Sequence, residues 1–205
     1  MEIFKPTIYE LEYVKNNNIE ITGFTISGII QTIHKERFAI DHKKIKDLIE
    51  VSFQYIRFQD SRWKNCLDIE IDKFNKFRIS VSGSVIYLCK NIDRKSIDTL
   101  LFIIGISHSI EANIELNDMK IQLISCKCKN NEINFDYLNI DCFEQINKSE
   151  NIISCKDRKN SINVFIYNTG LILLYGKNMS KIIEKHNLIK KILENETSSN
   201  LEECK

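Results

Sequence analysis

Phe77-Arg-Ile-Ser-Val-Ser-Gly83-Ser-Val-Ile-Tyr-Leu88 is the stretch that decides the fold. Apolar and polar residues alternate up to a Ser-Gly step, and an apolar run resumes after it. This pattern marks two short strands joined by a tight hairpin, with glycine where the backbone turns left-handed. Upstream, Cys66-Leu-Asp-Ile-Glu-Ile-Asp72 alternates in the same way and ends in a polar turn at 73–76, so the region reads as a three-stranded meander. Downstream, Asp93-Arg-Lys-Ser-Ile-Asp-Thr-Leu-Leu-Phe-Ile-Ile104 sets Ile97, Leu100, Leu101 and Ile104 at i, i+3, i+4 and i+7. That spacing predicts an amphipathic helix with Asp93 as its N-cap.

The same order returns later in the chain. Asn151-Ile-Ile-Ser-Cys-Lys156, a polar turn at 157–160, and Ile162-Asn-Val-Phe-Ile-Tyr-Asn-Thr-Gly170-Leu-Ile-Leu-Leu-Tyr-Gly176 form a second meander. Ile182, Ile183, His186, Ile189, Ile192 and Leu193 then recur at helical spacing, with Ser180 as the expected cap. The two turn glycines stand 170 − 83 = 87 residues apart. Each meander is preceded by a strand and a short helix. These are 25–33 with a helix at 41–50 capped by Asp41, and 119–128 with a helix at 137–146. The expected organisation is an extension at 1–23, a first repeat at 24–110, a second at 111–196 and a flexible tail at 197–205.

Bulk properties bound the function. The chain has 205 residues, 43% of them hydrophobic, enough for a packed core. Lys plus Arg total 29 against 28 Asp plus Glu, so whole-chain charge gives no support to nucleic-acid binding and a local patch would have to supply it. The seven cysteines are odd in number and form no C-x-x-C pair, which reads as free thiols in a reducing compartment. Cys126 and Cys128 fall on one strand face. The N-terminus lacks the apolar segment of a secretory signal, and the longest apolar run, near 100–106, is too short to span a membrane. His34, His42 and His108 lack metal-ligand spacing, and His186 sits on an apolar helix stripe, where packing is the expected role. No P-loop, G-x-G-x-x-G, H-E-x-x-H or G-x-S-x-G occurs. The expectation is a non-enzyme with no cofactor, metal or small-molecule substrate. Heavy use of Ile, Lys and Asn, with one Pro and six Gly, suggests an AT-rich genome, that of a large DNA virus or a fast-evolving parasite. The matching localisation is the nucleus or a cytoplasmic virus factory.

The paired hairpins Ile79-Ser-Val-Ser-Gly-Ser-Val-Ile86 and Phe165-Ile-Tyr-Asn-Thr-Gly-Leu-Ile-Leu-Leu-Tyr-Gly-Lys177, the strand and helix of 26–45, and Met119-Lys-Ile-Gln122 resemble, in order and spacing, the two repeats of the TATA-binding protein family. The resemblance covers roughly 24–195. It implies an α+β fold, a pseudo-twofold saddle in which each repeat contributes a curved five-stranded antiparallel sheet with a short and a long helix on the convex face. It also implies that the concave face binds the DNA minor groove and inserts aromatic wedges between base steps.

Carried over position by position, the resemblance puts wedges at Trp63 and Tyr167, while Ser80 and Glu150 occupy the partner positions and cannot act as wedges. Basic contacts fall on Arg62 and Lys156. The family's central asparagines correspond to Gly28 and Leu123, and its hairpin threonines to Leu88 and Tyr175. Ile30, Thr32, Ile86 and Leu173 complete the implied DNA face, which reads as largely apolar. Lys181, Lys185 and Lys191 on the last helix are the implied partner contacts, for a B-type transcription factor and RNA polymerase. Weak or partner-assisted DNA binding is the expectation. The rival is a protein-interaction module whose concave face takes a polypeptide.

Overall fold

The computed structural model describes residues 4–110, 113–135, 138 and 143–202, with backbone only at 145 and 195–202. Among these residues ten strands and four helices follow one another as α1 (Ile8–Asn16), β1 (Glu20–Thr32), α2 (His42–Ser52), β2 (Arg57–Asp60), β3 (Cys66–Asp72), β4 (Asn75–Ser80), β5 (Ser84–Cys89), α3 (Arg94–Ser107), β6 (Ile114–Lys129), β7 (Gln145–Lys148), β8 (Ile152–Asp157), β9 (Ile162–Tyr167), β10 (Leu171–Gly176) and α4 (Met179–Glu202). The strands hydrogen-bond in the order β2-β3-β4-β5-β1-β6-β10-β9-β8-β7. The order reads alike from either end, so β1–β5 and β6–β10 are one topology used twice, and the internal repeat expected from the paired hairpins is present. The chain forms two compact units: Gly23–Gln122, and the residues up to Thr22 together with those from Leu123 onward.

In the first unit, β2 to β5 form an antiparallel meander and β1 pairs along β5, with Ile26 opposite Tyr87. Alternation is strict. Phe24, Ile26 and Ile30 of β1, Leu67 and Ile69 of β3, Phe77 and Ile79 of β4, and Val85 and Tyr87 of β5 are all buried. Over them lie Ile45 and Ile49 of α2 and Ile97, Leu100, Ile103 and Ile104 of α3, also buried. Each such aliphatic side chain contributes about 1.5–3 kcal/mol on burial. The Tyr87 ring stacks on Phe77 at 4.3 Å, and its hydroxyl donates to Asn75 Oδ1 at 2.5 Å, so its polar tip is satisfied. Asp41 and Asp93 cap α2 and α3 as expected, each accepting two backbone N–H bonds.

The second unit repeats the scheme with α4 above the sheet. Cys126, Cys128, Ile153, Cys155, Val164, Ile166, Ile172 and Leu174 are buried, as are Ile182, Ile183 and Ile189 of α4. Burial pushes the Cys126 thiol up to about 12 and Cys128 to about 11, so both behave as small apolar residues. Both turn glycines adopt the left-handed conformation, φ 82° at Gly83 and 85° at Gly170. The Gly170 turn also packs against the carbonyls of Asn130 and Asn131.

Three local expectations change. Ser180 lies inside α4 and its hydroxyl donates to Glu10 Oε1; Asn178 Oδ1, 3.4 Å from the Lys181 N–H, stands at the cap position instead. The short helix expected at 137–146 lies mostly outside the described residues, and its end is bend and then strand β7, because Gln145 and Ile146 pair with Lys156 and Cys155. The stretch 1–23 contains a helix, α1, started by a Thr7–Glu10 capping box and packed on α4. Its buried side is polar. Tyr13 hydroxyl meets His186 Nδ1 at 3.1 Å, Glu10 accepts from Ser180, and Lys190 donates to Asn17 at 3.0 Å.

Candidate nucleic-acid interface

In each unit the helices cover one sheet face and leave the other open, so any extended ligand meets the odd-numbered residues of β1, β6, β9 and β10 and the even-numbered residues of β3, β4, β5 and β8, with register fixing what lies beside what. In the first unit two cross-strand rows stand out. One runs Gln59, Asp68, Arg78, Ile86 and Ser27; the other runs Arg57, Glu70, Lys76, Leu88 and Thr25. The charges in these rows satisfy one another. Arg78 donates twice to Asp68, at 2.7 and 2.9 Å, and Lys76 meets Glu70 at 3.0 Å. The bidentate bond from Arg78 holds the Asp68 carboxyl below its ordinary range. A shallow depression of about 380 Å³ lies over these pairs. Trp63, 63% exposed in the loop before β3, lies at the margin of this face with the Arg78 guanidinium 5.5 Å from its ring centre.

The second unit presents different chemistry. Here the rows are Lys127, Leu173, Phe165, Ser154 and Asn147, beside Ser125, Tyr175, Asn163 and Lys156, with Lys129, Leu171, Tyr167 and Ile152 on the turn side. Phe165 and Tyr175 meet edge to face at 5.8 Å. The result is a half-buried apolar and aromatic shelf edged by lysines. Lys127 pairs with Glu20 at 3.0 Å; Lys129 and Lys156 are exposed and, among the described residues, have no ion-pair partner.

The residues singled out from sequence separate accordingly. Ile86 and Leu88 lie on the open face of the first unit, with Arg62 exposed beside Trp63 in the loop at its edge. Leu123, Lys156, Tyr167, Leu173 and Tyr175 lie on that of the second. Ile30 does not belong to an open face: it is fully buried beneath the helices, since its neighbours Phe24, Ile26 and Gly28 share that side. Thr32 ends β1, where its hydroxyl accepts from the Glu36 N–H in a turn. Gly28 is likewise on the covered side. Phe24 pairs with Cys89 as Ile124 pairs with Gly176, and 176 − 89 = 87, the spacing of the turn glycines, so the counterpart of Leu123 is Gly23. The open faces are also less apolar than expected, because Asp68, Glu70, Lys76 and Arg78 occupy the first.

On α4, Lys181 is exposed beside Glu184 and Lys191 is exposed. Lys185 is withdrawn. Its side chain is 12% exposed, its Nζ sits 2.7 Å from Asp157 Oδ2, and it lies 5.2 Å from the centre of the Phe143 ring. Burial alone would raise the Asp157 carboxyl, but bonds from Lys185 and Asn160 hold it at about 2. Lys185 therefore secures the fold rather than a partner. Two features escaped sequence reading although signals existed. The Thr7-x-x-Glu10 spacing after Pro6 is a capping box. The charges of Asp68 with Arg78 and Glu70 with Lys76 mirror each other about one hairpin turn.

No protein-family model matches the chain, and no curated protein does. Among solved structures, the TBP of Methanococcus jannaschii superposes with a TM-score of 0.60 at 16% identity, covering 86% of this chain and 98% of that one. A chain from the complex of A. aeolicus tRNASec with M. kandleri SerRS matches at a TM-score of 0.32 and 10% identity, over 84% of this chain and 29% of that one.

Proposed function

We propose that this chain, which has the fold of TBP at a divergent sequence, is a non-enzymatic transcription-initiation factor that binds promoter DNA along its open strand faces and engages a B-type factor and RNA polymerase through its helices. The observation that carries the reading is an open sheet face holding Phe165, Tyr167 and Tyr175 with Lys129 and Lys156 exposed beside them, on that fold. Aromatic and aliphatic side chains suit the sugar and base edges of an opened minor groove, and lysines take the flanking phosphates. Affinity is modest, because few uncommitted cations are available and asparagine donors are absent from Gly23 and Leu123.

The helices of the first unit support a protein partner. Val51, Tyr55, Phe102 and Ile106 are exposed there, and Phe53 meets both Tyr55 and Phe102 edge to face. Lys181 and Lys191 offer the charged contacts on α4. Titration of the chain with an AT-rich duplex at low salt, read by anisotropy and by the end-to-end distance of a doubly labelled duplex, tests the reading. Micromolar binding with duplex bending is expected. No binding, with or without a B-type factor from the same source, would refute it.

A further inference from the structure

The two open faces share one topology but not one chemistry. In the first unit Asp68 and Glu70 of β3 project from the face, and the cations opposite them are already spent: Asp68 holds Arg78 in two hydrogen bonds and Glu70 holds Lys76. Laying a polyanion on this face puts two carboxylates against phosphate or base edges and strips water from them. It also requires Arg78 and Lys76 to give up bonds they keep in the free protein. Desolvating a satisfied charge pair without replacing its bonds is unfavourable. The Trp63 ring is meanwhile attached to the same lattice through Arg78.

In the second unit no acidic residue stands on β8, β9 or β10 toward the open face: the residues there are Ile152, Ser154 and Lys156, Asn163, Phe165 and Tyr167, and Leu171, Leu173 and Tyr175. Lys129 and Lys156 lie on strands at opposite sides of the aromatic shelf, β6 and β8. Tyr167 pairs with Ile152 at the end of β9, beside the hairpin turn, and its ring is half-exposed.

We propose that duplex DNA makes its base contacts on the second unit alone, with Tyr167 as the inserted ring and Lys129 and Lys156 as the phosphate contacts, while the paired charges of the first unit keep its face off the bases. The proposal rests on the DNA-binding reading above and narrows it to a half-length footprint. Trp63, the single tryptophan, lies in the first unit and is a built-in reporter.

The full chain is titrated with an AT-rich duplex from low to moderate salt, following anisotropy of the labelled duplex and tryptophan emission together. Tyr167→Ala is expected to weaken binding at least about tenfold, as loss of one stacked base contact does. Lys129→Gln with Lys156→Gln is expected to lower the slope of log affinity against log salt by about 1.8, two phosphate contacts at about 0.9 each. Arg57→Gln with Arg62→Gln is expected to leave affinity within about twofold and the slope unchanged, and Trp63 emission is expected to stay constant through saturation. Circular dichroism confirms that each variant is folded. Binding with strong Trp63 quenching, or with equal losses from the two pairs of variants, overturns the half-footprint and leaves the DNA-binding reading standing. No binding by the unmodified chain overturns both.

Discussion

Replacing Lys185 with Met tests whether this lysine holds the second unit together. The Lys185 and Asp157 side chains are 12% and 7% exposed and 2.7 Å apart, so the substitution leaves a carboxylate in a site built for its counter-ion. Removing one partner of a buried pair costs about 3–5 kcal/mol. Asp157 keeps two bonds from Asn160, from its backbone N–H at 3.0 Å and its side-chain amide at 2.9 Å, which places the expected loss at the low end, about 3 kcal/mol. For a chain of this size that lowers the melting temperature by about 6–12 °C. The Asp157→Asn, Lys185→Met double variant removes the stranded charge and recovers much of the loss. The pH dependence follows from the same pair. The Asp157 carboxyl stands at about 2 in the folded chain against 3.8 when unfolded, so its stabilisation is complete above about 4 and is lost as pH falls toward 2. Lys185→Met flattens that acid limb. Thermal and urea unfolding across pH 2–8 measure both effects, and a variant within about 0.5 kcal/mol of the unmodified chain at neutral pH would refute the account.

Two further outcomes follow from other groups. His186 is buried beside Tyr13, and burial lowers its imidazole to about 4 from 6.5. Because the unfolded imidazole takes its proton first, stability is full above about 6.5 and declines as pH falls toward 4; His186→Gln should remove this limb from a melting-temperature profile, and an unchanged profile would rule it out. Gly83→Ala and Gly170→Ala each force a side chain into positive φ at about 1–2 kcal/mol, with the larger loss at Gly170, where a Cβ meets the Asn130 and Asn131 carbonyls; equal urea midpoints for both variants would contradict this.

The strands, the turn glycines, the caps at Asp41 and Asp93 and the doubling of the fold were legible because each is a local property. Alternation, helical spacing and left-handed turns are written in neighbouring residues. The alternation also held information on facing: Phe24, Ile26 and Ile30 share one side of β1, which assigns Ile30 to the core. Family spacing placed Ile30 and Gly28 on the DNA face instead. Strand parity changes sides with every residue, so a spacing carried over with an odd error inverts the face.

The sequence by itself determined the period and order of the elements, and with them the fold. Only the tertiary structure decided which charges are available. Lys185 and Lys181 look alike along α4, yet one is locked to Asp157, whose strand lies far away in the chain. A charge's role depends on what lies within a few ångströms in space, and packing, unlike periodicity, brings together residues that no local pattern connects.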